Sequence, residues 1–234
     1  MKTIATIQTD FPTKFGLPRQ SGLVESIEGR IVFEKEYRVP AAFKGLEGYS
    51  HIWLIWEFSE NVDAPWSPTV RPPRLGGNVR MGVFATRSPF RPNPLGMSCV
   101  VLTGVRQDAK LGPVLCLSGA DLMDGTPVFD IKPYLPYSDC FPDARAGFTA
   151  LAPDLLLDVD FPPELLAHIP EAHRSALLGV LSHDPRPSYQ DDPARRYGMA
   201  FAGFDIHFTV SEGRLTVVDV APLEPSEKKG SANQ

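Results

Sequence analysis

The chain has 234 residues, 43% hydrophobic and 22% charged, with a formal net charge of −5. That apolar content buries a real core, which excludes wholesale disorder, and no apolar run approaches the ~20 residues of a membrane span. The opening MKTIATIQTDFPTKFG lacks the apolar stretch of a secretion signal, and Cys99, Cys116 and Cys140 form neither a disulfide framework nor a CxxC metal pair, so a cytoplasmic protein is expected.

Short stretches rich in Val, Ile, Phe and Trp occupy residues 3–7, 30–33, 49–58, 81–86, 97–105 and 114–117, separated by Gly, Pro and Asn. They read as strands. In 49–58, Ile52, Leu54, Trp56 and Phe58 share one face while Trp53 and Ile55 are apolar on the other, which predicts a strand covered on both sides. Few segments have room for a crossover helix, so a mainly antiparallel sheet or barrel is expected rather than a doubly wound fold. Near Leu151 the pattern changes. Residues 163–182 carry apolar side chains at helical spacing, split by Pro170 at the start of a second helix. Phe204, Ile206, Phe208 and Val210 then alternate with polar residues, and Ser211-Glu212-Gly213 turns the chain into a second strand at 215–220. The expected organisation is a β-rich unit over 1–148, a small α+β unit over 149–224 packed on it, and a disordered tail over 225–234.

Charge is unevenly spread. Between Ala64 and Gln107 there is no Asp, Glu or Lys but six Arg, namely Arg71, Arg74, Arg80, Arg87, Arg91 and Arg106, so this stretch is +6 and the remainder −11. Guanidinium forks set among Pro and Gly point to phosphates, carboxylates or aromatic planes. On the residues alone, the anion is either a nucleic acid or a small phosphorylated molecule. Three rigid polar segments stand out: LPRQSG at 17–22, RPPRLGGNVRMGVFATRSPFRPNPLGMS at 71–98, and DLMDGTPVFDIKPYLPY at 121–137. In the last, Asp124-Gly125-Thr126 is a turn signature, and Asp130, Lys132 and Tyr134 alternate on one face of an extended segment. His51, His168, His173, His183 and His207 lack paired spacing, so no metal site is expected. The chain has no GxGxxG, no Walker A and no GxSxG.

At these same segments, together with GLEGYSHIWLIWEF at 45–58 and SHDPRPSY at 182–189, the sequence resembles the TsaA-like/TrmO family of tRNA N6-methyladenosine methyltransferases. The resemblance implies a β-barrel that binds S-adenosylmethionine without a Rossmann fold, a smaller C-terminal domain and a homodimer. It implies methylation of N6 of threonylcarbamoyladenosine at position 37 of threonine tRNA. The family's cofactor pocket maps onto Arg19, Gln20 and Ser21, onto Ser59 and Glu60, onto Arg87 and Met97, and onto Asp124, Gly125, Thr126 and Pro127. At Ser59-Glu60 the chain departs from the family's His-Gln, so contact there is expected through backbone. From side-chain chemistry, Asp130 is the candidate acceptor for the N6 proton, with Lys132 and Tyr134 orienting the base. Arg71, Arg74 and Arg91 are the candidates for RNA phosphates, and Arg186, Arg195 and Arg196 for a grip on the anticodon arm.

Overall fold

The computed structural model describes residues 1–76, 78–151, 156–187, 190 and 192–224. The tail at 225–234, Ser188 and Tyr189 of the SHDPRPSY string, and part of the 149–155 boundary lie outside the described residues.

Eight strands form in the first 133 residues: β1 (Ala5–Gln8), β2 (Glu28–Phe33), β3 (His51–Glu57), β4 (Thr69–Val70), β5 (Met81–Gly82), β6 (Leu95–Asp108), β7 (Gly112–Ser118) and β8 (Pro127–Pro133). Six of them hydrogen-bond in the order β1-β2-β7-β6-β3-β8, every pair antiparallel. The ring closes where β8 returns to β1 through Ala5↔Val128. The period-2 pattern supplies the reason: Ile7, Ile31, Ile52, Leu54, Leu115, Leu117 and Val128 alternate with more exposed neighbours and are at most 1% exposed. Each such side chain contributes roughly 2 kcal/mol by leaving water. The outer face of β3 is half-buried rather than fully covered, and the Trp53 Nε1 there donates to Asp139 Oδ2 at 2.8 Å, at the end of the one-turn helix α1 (Pro136–Asp139).

The strand expected at 81–86 is only the two-residue β5, paired with β4 and followed by a 3-10 turn at Val83–Ala85. Pro68 and Pro72 bracket β4 and have no amide to donate, so this pairing cannot propagate.

The second unit comprises β9 (Asp158–Asp160), α2 (Pro163–Leu166), α3 (Glu171–Ser182), β10 (Tyr197–Phe201), β11 (Phe204–Ser211) and β12 (Arg214–Pro222), with sheet order β10-β11-β12-β9. Pro170 precedes α3, where its missing amide costs nothing. The β11–β12 turn places Glu212 (φ 49°) and Gly213 (φ 77°) in the left-handed region, as a tight hairpin requires. Two strands, β9 and β10, were not expected from the pattern. β9 has three residues and pairs parallel to β12, and the alternation in β10 is diluted by Gly198.

The two units meet through the segment between β1 and β2. Phe11 packs edge-on against Phe201 at 5.1 Å, the Ala202 amide donates to the Asp10 carbonyl at 2.8 Å, and His173 Nδ1 meets Asp10 Oδ2 at 2.7 Å. Further along, His183 Nε2 lies 3.1 Å from the Leu23 carbonyl, and Val24 packs against Gly179 of α3. One apolar core runs through both units.

Candidate functional site

At one end of the ring, β3 finishes and β6 begins with Trp56 opposite Gly96 and Glu57 opposite Leu95. The indole of Trp56 lies across Gly96, in space that any Cβ would fill. Its Nε1 donates to the buried Ser98 hydroxyl at 3.0 Å, and Phe58 packs against its ring at 4.4 Å. Around this floor, residues 17–20, 59–61, 87–91 and 121–123 close a cavity of about 450 Å³. That lies within the range of small-molecule and cofactor sites, about 300–1,000 Å³.

Two of these loops hold each other. The Gly22 amide donates to the Gly119 carbonyl at 2.9 Å and the Gly119 amide to Ile27 at 2.8 Å. Both glycines have positive φ, and a Cβ on Gly119 would stand 3.2 Å from the Gly22 Cα, so a side chain there would push the loops apart. This docking seats Gln20 near Arg87, whose Nη1 donates to Gln20 Oε1. Arg91 also lines the cavity, with its Nη1 on the Thr86 carbonyl at 3.0 Å, and Lys14 neutralises Glu60 at 3.1 Å.

Asp121 is the unusual group in the wall. Its Oδ1 is buried with no hydrogen-bond partner. Burial pushes its carboxyl up from 3.8 to about 6, opposed by the Ser98 hydroxyl, the Ser21 amide and the charge of Arg87.

Of the expected cofactor residues, Arg19, Gln20, Ser59, Glu60, Arg87, Met97 and Thr126 line this single cavity. Ser21, Asp124, Gly125 and Pro127 are not among the lining residues. Asp124 instead anchors the loop: its Oδ1 accepts from the Thr9 amide at 3.0 Å, while its own amide donates to the Phe11 carbonyl. Thr126 is buried, its hydroxyl on the Met123 carbonyl at 2.7 Å.

Asp130, Lys132 and Tyr134 stand outside the cavity lining. Asp130 pairs with Ile55 and Lys132 with Trp53, so both side chains share the outer face of the ring with Met97, which faces Ile55 from the other side. Lys132 Nζ is 2.8 Å from Asp130 Oδ2. The Tyr134 ring is 6.0 Å from Trp53, and partial desolvation and the Cys140 thiol raise its phenol above the ordinary value. Beside it, Asp139 is held below its ordinary value by the Leu135 amide and the Trp53 N–H.

The remaining arginines are dispersed. Arg71 is exposed, while Arg74 reaches the Thr149 carbonyl at 3.2 Å. Arg186 forks onto Asp184 at 2.8 and 3.0 Å, with its side chain only 11% exposed. Arg195 lies over the Tyr197 ring and Arg196 pairs with Asp219 at 2.7 Å. Sequence reasoning missed Asp121 and Trp56 as cavity residues, and Ser98 as the buried partner of Trp56. A lone acid three residues before Asp124 carries no signal of which carboxylate faces the cavity, and only the Trp56–Gly96 register puts the indole on its floor. Among the described residues, no group of three His, Cys, Asp or Glu could hold a metal ion, and no helix is long and apolar enough to cross a membrane.

The same segments are what known proteins share with this chain. The model of the tRNA-methyltransferase O N-terminal domain matches residues 6–140, and that of the TrmO C-terminal domain matches 154–223. The tRNA (adenine(37)-N6)-methyltransferase of Escherichia coli K12 is 41% identical over 94% of this chain and 96% of its own length. A putative S-adenosylmethionine-dependent methyltransferase, RcsF, of Pseudomonas aeruginosa PAO1 is 39% identical over 93% and 96%. The crystal structure of TrmO from Pseudomonas aeruginosa superposes with a TM-score of 0.74 at 33% identity, covering 94% of this chain and 97% of that one. With both halves matched in order and the fold shared over nearly the full length, this chain belongs to the tRNA-methyltransferase O family.

Proposed function

We propose that the chain is a tRNA adenine-N6 methyltransferase that uses S-adenosylmethionine, and that its substrate is threonylcarbamoyladenosine at position 37 of threonine tRNA. The observation that carries the cofactor assignment is the convergence of four sequence-distant stretches, 14–20, 56–61, 87–97 and 121–126, on one cavity. The residues fit the group: Trp56 and Phe58 offer an apolar wall to a nucleoside, Arg19 and Arg87 offer cations to a carboxylate, and Asp121 leaves an acceptor unused. Bound there, S-adenosylmethionine would supply an electrophilic methyl carbon.

The chain's own task is then to align an acceptor and receive a proton. Met97 belongs both to the cavity and to the outer face of β6, and Asp130 lies two strands across, roughly 10 Å away at ordinary strand spacing. The target adenine would lie over Ile55 between them. Asp130, paired with Lys132 at 2.8 Å, is the acceptor for the N6 proton, and Tyr134 keeps its phenolic proton to orient the base. Arg71, Arg74 and Arg91 serve the RNA backbone, with Arg186, Arg195 and Arg196 as the C-terminal candidates. Half-exposed Met97 and Leu95, beside Ile55 and Trp53, support a homodimer in which a second copy covers part of this face. The units would divide at 148/149, and the setting is the cytoplasm.

Labelled methyl transfer to threonine tRNA, with and without the threonylcarbamoyl group, tests this reading. Incorporation only into the modified RNA is expected. Incorporation into neither, with cofactor binding intact, would move the substrate elsewhere. Asp130→Asn should lose at least about a hundredfold in turnover without changing cofactor affinity, the usual scale of proton-transfer catalysis. Full turnover in that variant would remove Asp130 from the mechanism.

A further inference from the structure

We infer that Asp121 is the docking point for the positively charged half of the cofactor, its carboxylate receiving the α-ammonium or standing against the sulfonium. The inference rests on the cofactor reading above and adds a residue that the family resemblance does not place in the pocket.

The argument is one of unmet polarity. A buried carboxylate oxygen without a partner is costly, and the cost is relieved by whatever supplies a donor or a positive charge. Oδ1 of Asp121 is such an oxygen, on a side chain that lines the cavity. The torsion that turns a carboxyl group about its own axis is soft, so a small rotation presents this oxygen to a ligand. The protein's own cations do not fill the role. Arg87 acts on Asp121 only through its charge, and its Nη1 is engaged by Gln20. Ser98 Oγ accepts from Trp56 on the far side, which leaves the hydroxyl proton available to steady the carboxylate.

The other acids of the cavity are weaker candidates. Glu60 has a side chain 44% exposed and already faces Lys14, and Glu57 is on the open rim of β3. The charged groups around Asp121 are therefore Arg87 close by, with Arg19, Arg91, Lys14, Glu57 and Glu60 elsewhere in the lining. No histidine is among the lining residues, although His173 and His183 hold the 10–24 segment behind it, so a pH 5–7 change that spares an uncharged ligand reports on Asp121.

The test measures equilibrium binding of three ligands to the full chain at pH 5 and pH 7. S-adenosylmethionine carries both cations, S-adenosylhomocysteine only the ammonium, and 5′-methylthioadenosine neither. With the carboxyl held at about 6, S-adenosylmethionine should bind about tenfold more weakly at pH 5, while methylthioadenosine is unaffected. Asp121→Asn should weaken S-adenosylmethionine at least about tenfold at pH 7 and abolish its pH dependence, and unchanged methylthioadenosine affinity certifies an intact pocket. If S-adenosylhomocysteine follows S-adenosylmethionine, the contact is to the ammonium; if it follows methylthioadenosine, to the sulfonium. Parallel loss of all three ligands with pH in the wild-type chain, or loss of none, overturns the inference while sparing the cofactor reading. Failure of all three to bind at either pH overturns both.

Discussion

Replacing Gly96 by alanine should damage the cavity floor without touching a charged group. The new Cβ would sit 2.6 Å from Trp56 Cδ2 and closer still to Cε2 and Cζ2, well inside van der Waals contact. Trp56 is 8% exposed and packed against Phe58, so the indole can yield only toward the cavity whose floor it forms. Overpacking of this kind costs about 1–3 kcal/mol, and losing the Trp56–Ser98 hydrogen bond adds about 1 kcal/mol. A total near 3 kcal/mol lowers the melting temperature of a chain this size by roughly 6–12 °C. Binding of S-adenosylmethionine should weaken in parallel, because Ser98 is the group that steadies Asp121. The clash is assigned to Trp56 by a double-mutant cycle: in a Trp56→Leu background, Gly96→Ala should cost less than about 1 kcal/mol. A full cost persisting without the indole would refute the account, as would a Gly96→Ala protein melting within a degree of the wild type.

Asp121 also sets a pH dependence of stability. Its folded value is raised above the unfolded one, so the folded chain binds the extra proton and stability falls as pH rises from about 4 through 6. The rise from 3.8 to about 6 corresponds to a penalty of roughly 3 kcal/mol, complete above neutrality. Asp121→Asn should therefore gain stability relative to wild type as pH increases from 4 to 8, measured by urea unfolding at each pH; a constant difference would remove the penalty from this residue. For RNA, affinity should fall steeply with salt, and Arg71→Ala should flatten the slope of log affinity against log salt by about 0.7–0.9, the signature of one lost phosphate contact. An unchanged slope would take Arg71 off the RNA path.

Sequence reading reached the strands wherever alternation was strong, as in Ile52, Leu54 and Trp56, because a strand with one face in the core carries its own period. It reached the split helix through Pro170 and the hairpin through Glu212-Gly213, where single residues impose the backbone. The ring closure was implied by the family resemblance and not by the alternation. The Ala5↔Val128 pairing joins positions 123 residues apart, and no local pattern encodes which edge strands meet. The cavity was legible as three motifs but not as a division of labour. Asp124 and Asp121 lie on the same short loop, yet one carboxylate ties down Thr9 and the other lines the cavity with an oxygen unpaired. Likewise, Asp130 and Lys132 share a face as their alternation required, but that face is the outside of the ring.

The same distinction recasts the C-terminal unit. Of the arginines proposed for the RNA, Arg186 forks onto Asp184 and Arg196 pairs with Asp219, while the unit's contacts with the ring concentrate on residues 10–24. That segment carries Arg19 and Gln20 into the cavity, which predicts that the unit also buttresses this loop. Gly179→Ala tests this. An alanine in the middle of α3 gains about 1 kcal/mol of helix propensity, but its Cβ would lie 2.6 Å from Cγ1 of Val24, a branched side chain only 5% exposed. Overpacking against a side chain that cannot rotate away outweighs the propensity gain, leaving a net loss of about 1 kcal/mol. The displacement is transmitted to Leu23 and Gly22, and through the Gly22–Gly119 bond to the loop of Asp121. Cofactor affinity should therefore drop although residue 179 does not line the cavity. In a Val24→Ala background the clash disappears, the substitution should turn stabilising, and affinity should recover. If Gly179→Ala stabilises the wild-type chain or leaves binding unchanged, the helix does not support the loop, and the C-terminal unit must be explained by what it contributes to the RNA.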